Sequence, residues 1–129
     1  MPEDQEKIHD EEKTFLGPLP VVRALFLVLI KLNPEITGYQ LIRMVSKTTN
    51  KLIEVKSGTV YTELRRLERF GFVHSSQSSE GRKQRHYKIT NEGINELTRL
   101  NHQIKIRINF LLKPLRNLID SSVNVENIQ

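Results

Sequence analysis

The chain has 129 residues and a mass of 15.1 kDa, which suits one hydrophobic core and leaves little room for two independent domains. It contains no cysteine, so disulfides, thiolate catalysis and cysteine-ligated metal centres are excluded by inventory. The net charge of +5 is unevenly placed: residues 1–36 carry 4 basic and 7 acidic side chains, residues 37–90 carry 11 and 4, and residues 91–129 carry 5 and 4. A basic middle segment attracts polyanions, nucleic acid first and an anionic membrane surface second, and its bland counterpart is a solvated surface.

Residues 1–15 are acidic and poor in apolar side chains, and are expected to form a flexible arm. No apolar core follows a basic start, so they do not read as a signal peptide. From Val21 to Leu32 all residues are apolar except Arg23 and Lys31, with Pro18 and Pro20 ahead and Pro34 behind. This predicts a buried helix between proline boundaries. Its uninterrupted apolar run, Ala24 to Ile30, is far short of the roughly 20 residues a bilayer requires, so no membrane span is expected.

Thr37 and Gln40 stand at capping-box spacing, and Tyr39, Ile42 and Val45, flanked by Leu41 and Met44, form an apolar stripe. A second helix is predicted from Thr37 to about Thr48. A polar connector leads to KSGTVYTELRRLERFG, residues 56–71. Ser57 is a candidate N-cap and Gly71 a stop. Val60, Leu64 and Leu67 share one face of this third helix, whereas Gly58, Thr62, Arg65 and Arg69 lie opposite, with Thr59 and Arg66 on the flank.

After Gly71 the period changes. Residues 72–77 and 85–90 are short β-prone segments joined by SSEGRK, a hairpin signature. Val73, Tyr87 and Ile89 are its expected buried set, and Arg82, Lys83 and Arg85 crowd its tip. From Thr90, a cap candidate, Ile94, Leu97, Asn101, Ile104, Ile108, Leu111, Leu115 and Leu118 step by three and four, as in a coiled-coil seam whose one amide fixes register. Pro114 lacks the amide that would bond the Phe110 carbonyl, so a kink is expected near Lys113. Residues 120–129 read as a flexible tail.

Three helices, a hairpin and a long helix are the order of a winged helix-turn-helix carrying an added C-terminal helix. The fold is therefore mainly α with a small β-hairpin: a DNA-binding unit at 16–90 and a dimerisation helix at 91–119. The third helix fits a major groove about 12 Å wide, and the hairpin alongside reaches the neighbouring backbone. Candidate DNA contacts are Lys56 at the helix entrance, Ser57, Gly58, Thr59, Tyr61 and Thr62 in its first turns, and Arg65, Arg66 and Arg69 beyond. Arg82, Lys83 and Arg85 complete the set from the wing. Arg65 or Arg66 is placed to pair with guanine, worth about 1–3 kcal/mol per good contact, while Ser57, Thr59 and Tyr61 suit phosphates. The competing reading of Arg66 with Glu63 is ordinary helix-surface charge pairing, and Tyr61 reads equally well as a packing residue.

SGTVYTELRRLERFGFV followed by GRKQRHYKITNEGINEL resembles the PadR family of winged-helix transcriptional regulators. The marks are Ser57, Gly58, Thr59, Tyr61, Leu64, Leu67, Glu68 and Gly71, then Arg82, Tyr87, Ile89, Thr90 and Gly93, with Thr37, Gly38 and Tyr39 upstream. The resemblance covers roughly residues 16–112. It implies a cytoplasmic homodimeric regulator of repressor type, acting on double-stranded DNA at a near-palindromic operator, with the C-terminal helix as the dimer element. The chain departs from the family pattern in having no tryptophan, the residue on which some members stack planar aromatic effectors. Ile53 and Val55 stand where an aromatic residue often precedes the recognition helix. Any small-molecule effector is left unspecified. The alternatives are a protein-docking winged helix and a non-specific DNA-packaging protein.

No catalytic residue, cofactor or metal is expected. His9, His74, His86 and His102 lack ligand spacing, and phosphate-binding loops, dinucleotide turns and nucleophile elbows are missing.

Overall fold

The computed structural model describes residues 17–78 and 84–128. The acidic arm at 1–15 and the wing residues Arg82 and Lys83 lie outside them. Two compact units are present, one spanning Pro20–Arg99 and the other combining, among the described residues, 17–19 with 100–128.

The first unit begins with α1, Val21–Leu32, entered at Pro20 and closed at Asn33. The Asn33 side-chain amide donates to the Leu29 carbonyl at 2.9 Å, which satisfies one of the orphan acceptors of the helix end. A two-residue strand follows, β1, Ile36–Thr37, and leads directly into α2, Gly38–Thr48. The capping box forms as its spacing predicts: Thr37 Oγ1 accepts from the Gln40 amide at 3.2 Å, and the Thr37 amide donates to Gln40 Oε1 at 3.0 Å. α3 spans Ser57–Arg69. Its N-cap is Lys56 and makes no side-chain capping bond, so Ser57, expected to cap, is instead the first helical residue.

The wing consists of β2, Val73–Gln77, and β3, Arg85–Ile89, paired antiparallel with Val73 opposite Ile89 and Ser75 opposite Tyr87. β1 pairs with the free edge of β3 through Ile36 and Tyr87, which gives a three-stranded sheet of order β1-β3-β2 rather than a bare hairpin. Two residues are too few to show alternation, so β1 leaves no periodic signal. Ser75 is buried with Val73 and Tyr87 on the inner face, while Ile89, expected there, is only half-buried.

The core is contributed by three helices and the sheet. Phe26, Leu27 and Ile30 of α1, Leu41 and Val45 of α2, and Val60, Leu64 and Leu67 of α3 are almost wholly withdrawn from solvent. Each such side chain contributes about 1.5–3 kcal/mol on burial. Tyr39, read as part of the α2 apolar stripe, is 60% exposed. The line through Gly38, Leu41 and Val45 faces the core and leaves Tyr39 outside.

α4, Asn91–Ile106, starts in the first unit. Thr90 caps it: its hydroxyl accepts from the Gly93 amide at 3.0 Å and donates to the Gly71 carbonyl at 2.5 Å. In the second unit a π-helical stretch, Arg107–Leu112, precedes α5, Lys113–Ile128. The expected irregularity therefore comes just ahead of Pro114 and takes π form. A proline ring collides with the carbonyl four residues back in an α-helix, and the wider π turn carries that carbonyl away. The Lys113 amide accordingly reaches back five residues, to Ile108. Helix continues through residues 120–128, read from sequence as a tail.

Candidate nucleic-acid interface

With Val60, Leu64 and Leu67 fully buried, helical geometry turns the opposite face of α3 outward, while Glu63 and Glu68 stay half-buried at its edges. Ser57, Gly58, Thr59, Tyr61, Thr62, Arg65, Arg66 and Arg69 are all exposed, as is Lys56 before them. Hydroxyls occupy the first turns and guanidinium groups the last two. Arg66 is engaged with Glu63 at 3.1 Å, so the surface-pairing reading holds for it in the free chain. Arg65 makes a longer contact, 3.4 Å, to the Thr62 hydroxyl. A methyl group at Gly58 would meet nothing within 4 Å, so internal packing places no demand for glycine there.

α3 and the wing are joined by a polar relay. Ser75 donates to Glu68 Oε1 through both its amide, 3.2 Å, and its hydroxyl, 2.6 Å, and Arg85 donates to the same hydroxyl at 3.1 Å. Burial and then the Glu68 charge hold the Tyr87 phenol above its ordinary range, so it stays protonated. Between α2, α3 and the wing lies a cleft of about 680 Å³, lined among others by Tyr39, Tyr61, Arg65, Gln77, Gln84 and Arg85. A β-carbon on Gly38 would stand 2.7 Å from the Tyr61 ring, so this glycine lets Tyr61 lie against α2.

Behind this surface Arg23 of α1 ties three helices together. It binds Glu96 of α4 at 2.9 Å, approaches Glu63 of α3 at 3.9 Å, and lies over the Phe70 and Phe72 rings at 5.4 and 5.8 Å. Arg99 also grips Glu96, at 2.6 Å. Burial works to raise the Glu96 carboxyl, but hydrogen bonds from Arg99 and Arg23 outweigh it and hold the group below its ordinary range.

The predicted α3 residues and Arg85 thus come together on one surface, while Arg82 and Lys83 lie outside the described residues. The eight seam residues do not follow one regular helix, because Ile108 and Leu111 fall in the π stretch. Asn101 is exposed, as are Ile108, Leu111, Leu115 and Leu118. Sequence reasoning missed Ser75 and Arg23 and, although Glu68 stands among the family marks, its link to the wing; the partners are 7 to 73 positions away and leave no local pattern. No group of three potential metal ligands occurs among the described residues, and none of their helices is long and apolar enough to cross a membrane.

The model of the transcriptional regulator PadR-like family matches residues 26–99. The chain belongs to that family. Among solved structures similar to this PadR-like chain, a transcriptional regulator from Clostridium thermocellum is 25% identical, with a TM-score of 0.66 over 71% of this chain and 90% of that one. A PadR-family regulator from Eggerthella lenta, 24% identical, gives 0.66 over 89% and 96% and supports the fold. Bacillus subtilis PadR, solved in complex with operator DNA, is 25% identical with a TM-score of 0.57; the match covers 64% of this chain and 46% of that one. No curated protein matches the chain. The family and the geometry agree on a winged-helix transcriptional regulator.

Proposed function

We propose that this PadR-like protein binds double-stranded DNA in a sequence-specific manner and acts as a homodimeric repressor on a near-palindromic operator. The observation that carries the reading is the outward face of α3. It offers hydroxyls and guanidinium groups on a helix whose opposite face is locked into the core, with Arg85 of the wing alongside. Bacillus subtilis PadR, of the same family, is seen on operator DNA. Two copies of α3 would enter successive major grooves, about one helical turn apart. Arg65, Arg66 and Arg69 are the candidate base readers. Lys56, Ser57, Thr59, Thr62 and the wing cations Arg82, Lys83 and Arg85 hold the backbone, and Gly58 permits close approach.

Dimerisation through the C-terminal helices is supported by exposed apolar residues along them, including Leu111, Leu115 and Leu118. Ile94, Leu97, Asn101, Ile104 and Ile108 complete the proposed interface.

Selection from random duplexes with the purified full chain tests the reading. An enriched palindrome is the expected outcome. Binding without enrichment would indicate a DNA-packaging protein, and no binding by folded protein would indicate a protein-docking winged helix; either result overturns the proposal.

A further inference from the structure

The cleft between α2, α3 and the wing has a lining that narrows what it can hold. No aliphatic side chain lines it: the rings of Tyr39, Tyr61 and Tyr87 supply its apolar wall, and apart from Gly38 the other lining residues are polar or charged. Its walls carry the hydroxyl-bearing rings of Tyr39 and Tyr61, the guanidinium groups of Arg65 and Arg85, and the carboxamides of Gln77 and Gln84. Glu68 is the single acidic lining residue, and its Oε1 accepts from the Ser75 amide and hydroxyl. The lining thus gathers hydrogen-bonding side chains around two cations, with one carboxylate oxygen already engaged by Ser75. Tyrosine, arginine and glutamine are residue types that hold phosphate and sugar oxygens, and they fix register without reading sequence.

We infer that this cleft is a clamp for the DNA sugar-phosphate strand passing between the recognition helix and the wing, and that Tyr39, Gln77 and Gln84 are DNA-contacting residues. The inference rests on the DNA-binding reading above. Tyr39 is 60% exposed and lines the cleft, with Arg43 of the same helix over its ring at 6.0 Å, so its hydroxyl is open to a ligand. Gly38 holds the second tyrosine in place, since any larger residue would push the Tyr61 ring away. The relay through Glu68 and Ser75 anchors Arg85 and engages Glu68 Oε1 in two hydrogen bonds.

The test uses the full chain and two duplexes of equal length, one carrying the selected site and one scrambled, with affinity measured by fluorescence anisotropy across a range of salt. Tyr39→Phe and Gln77→Ala alter exposed side chains, and circular dichroism confirms that each variant is folded. Each is expected to bind both duplexes about tenfold more weakly, as for loss of a hydrogen bond to a charged group. The ratio between duplexes and the salt slope stay unchanged, because no cation is lost. Arg85→Gln is expected to lower the slope by about 0.9, one released counterion. Wild-type affinity in both Tyr39→Phe and Gln77→Ala, a loss confined to one duplex, or an unchanged slope in Arg85→Gln overturns the clamp and leaves DNA binding intact. A wild-type chain that binds neither duplex removes the DNA-binding reading and the clamp together.

Discussion

Two glycines, Gly93 and Gly58, are under opposite physical demands. A β-carbon on Gly93 would stand 2.0 Å from the Phe72 carbonyl oxygen, and that oxygen already accepts from the Thr90 amide at 3.0 Å. Backbone cannot yield as a flexible side chain does, so Gly93→Ala is expected to cost about 1–3 kcal/mol, read as a lower urea midpoint. Around Gly58 there is open space, and a glycine within a helix is up to about 1 kcal/mol less favourable than alanine. Gly58→Ala is therefore expected to raise the urea midpoint while weakening duplex binding, because the added methyl stands where DNA must come close. Equal binding by Gly58→Ala and wild type would show that this position is simply solvated. The glycines themselves are visible in the sequence, but what lies over each is not. Gly93 is constrained by Phe72, 21 positions away, and no local pattern reports that approach.

At the scale of elements, the α3 stripe and the α2 capping box are local, and both form where residue spacing places them. The links between elements are not local. Glu96 joins α4 to Arg23 of α1, and its carboxyl is held below the ordinary value of 4.5 despite the opposing effect of burial. With the folded pKa depressed, the unfolded chain binds more protons between that lowered value and about 4.5. The contribution of this group is thus fully present above about 4.5 and is lost as pH falls through the folded value. Thermal midpoints of Glu96→Gln and wild type, followed down to about pH 3, are expected to converge on acidification. A gap independent of pH would sink this account. In the C-terminal helical region, Pro114→Ala restores an amide donor and removes the ring that opposes α geometry ahead of it. Amide hydrogen exchange across residues 107–112 is expected to slow, by the equivalent of ~1–3 kcal/mol. Unchanged exchange would separate the π stretch from the proline.

At the scale of the whole molecule, the proposed function depends on a second copy. Leu115 and Leu118 are 48% and 70% exposed in the single chain, an apolar display that association would cover. Leu115→Asp is expected to shift sedimentation toward the monomer at tens of micromolar. It should also weaken operator binding much more than binding to a half-site, since only the dimer places two recognition helices on one duplex. A wild-type chain that sediments as a monomer under those conditions would remove the dimer. The basic segment at 37–90 carries the charge for DNA attraction whatever the oligomeric state.

The sequence by itself determined the order of helices and wing, the buried stripe of α3 and the place of the basic charge, because periodicity, caps and turn residues act over a few neighbouring positions. Tertiary structure alone decided that β1 completes the sheet, that Tyr39 leaves the core for the cleft, and that Arg85 is anchored through Ser75. Each of these depends on which distant backbone or side chain arrives beside it, and packing between elements settles that. The π stretch before Pro114 lies between the two cases: the proline announces a break, and the geometry of the turn ahead of it selects the form.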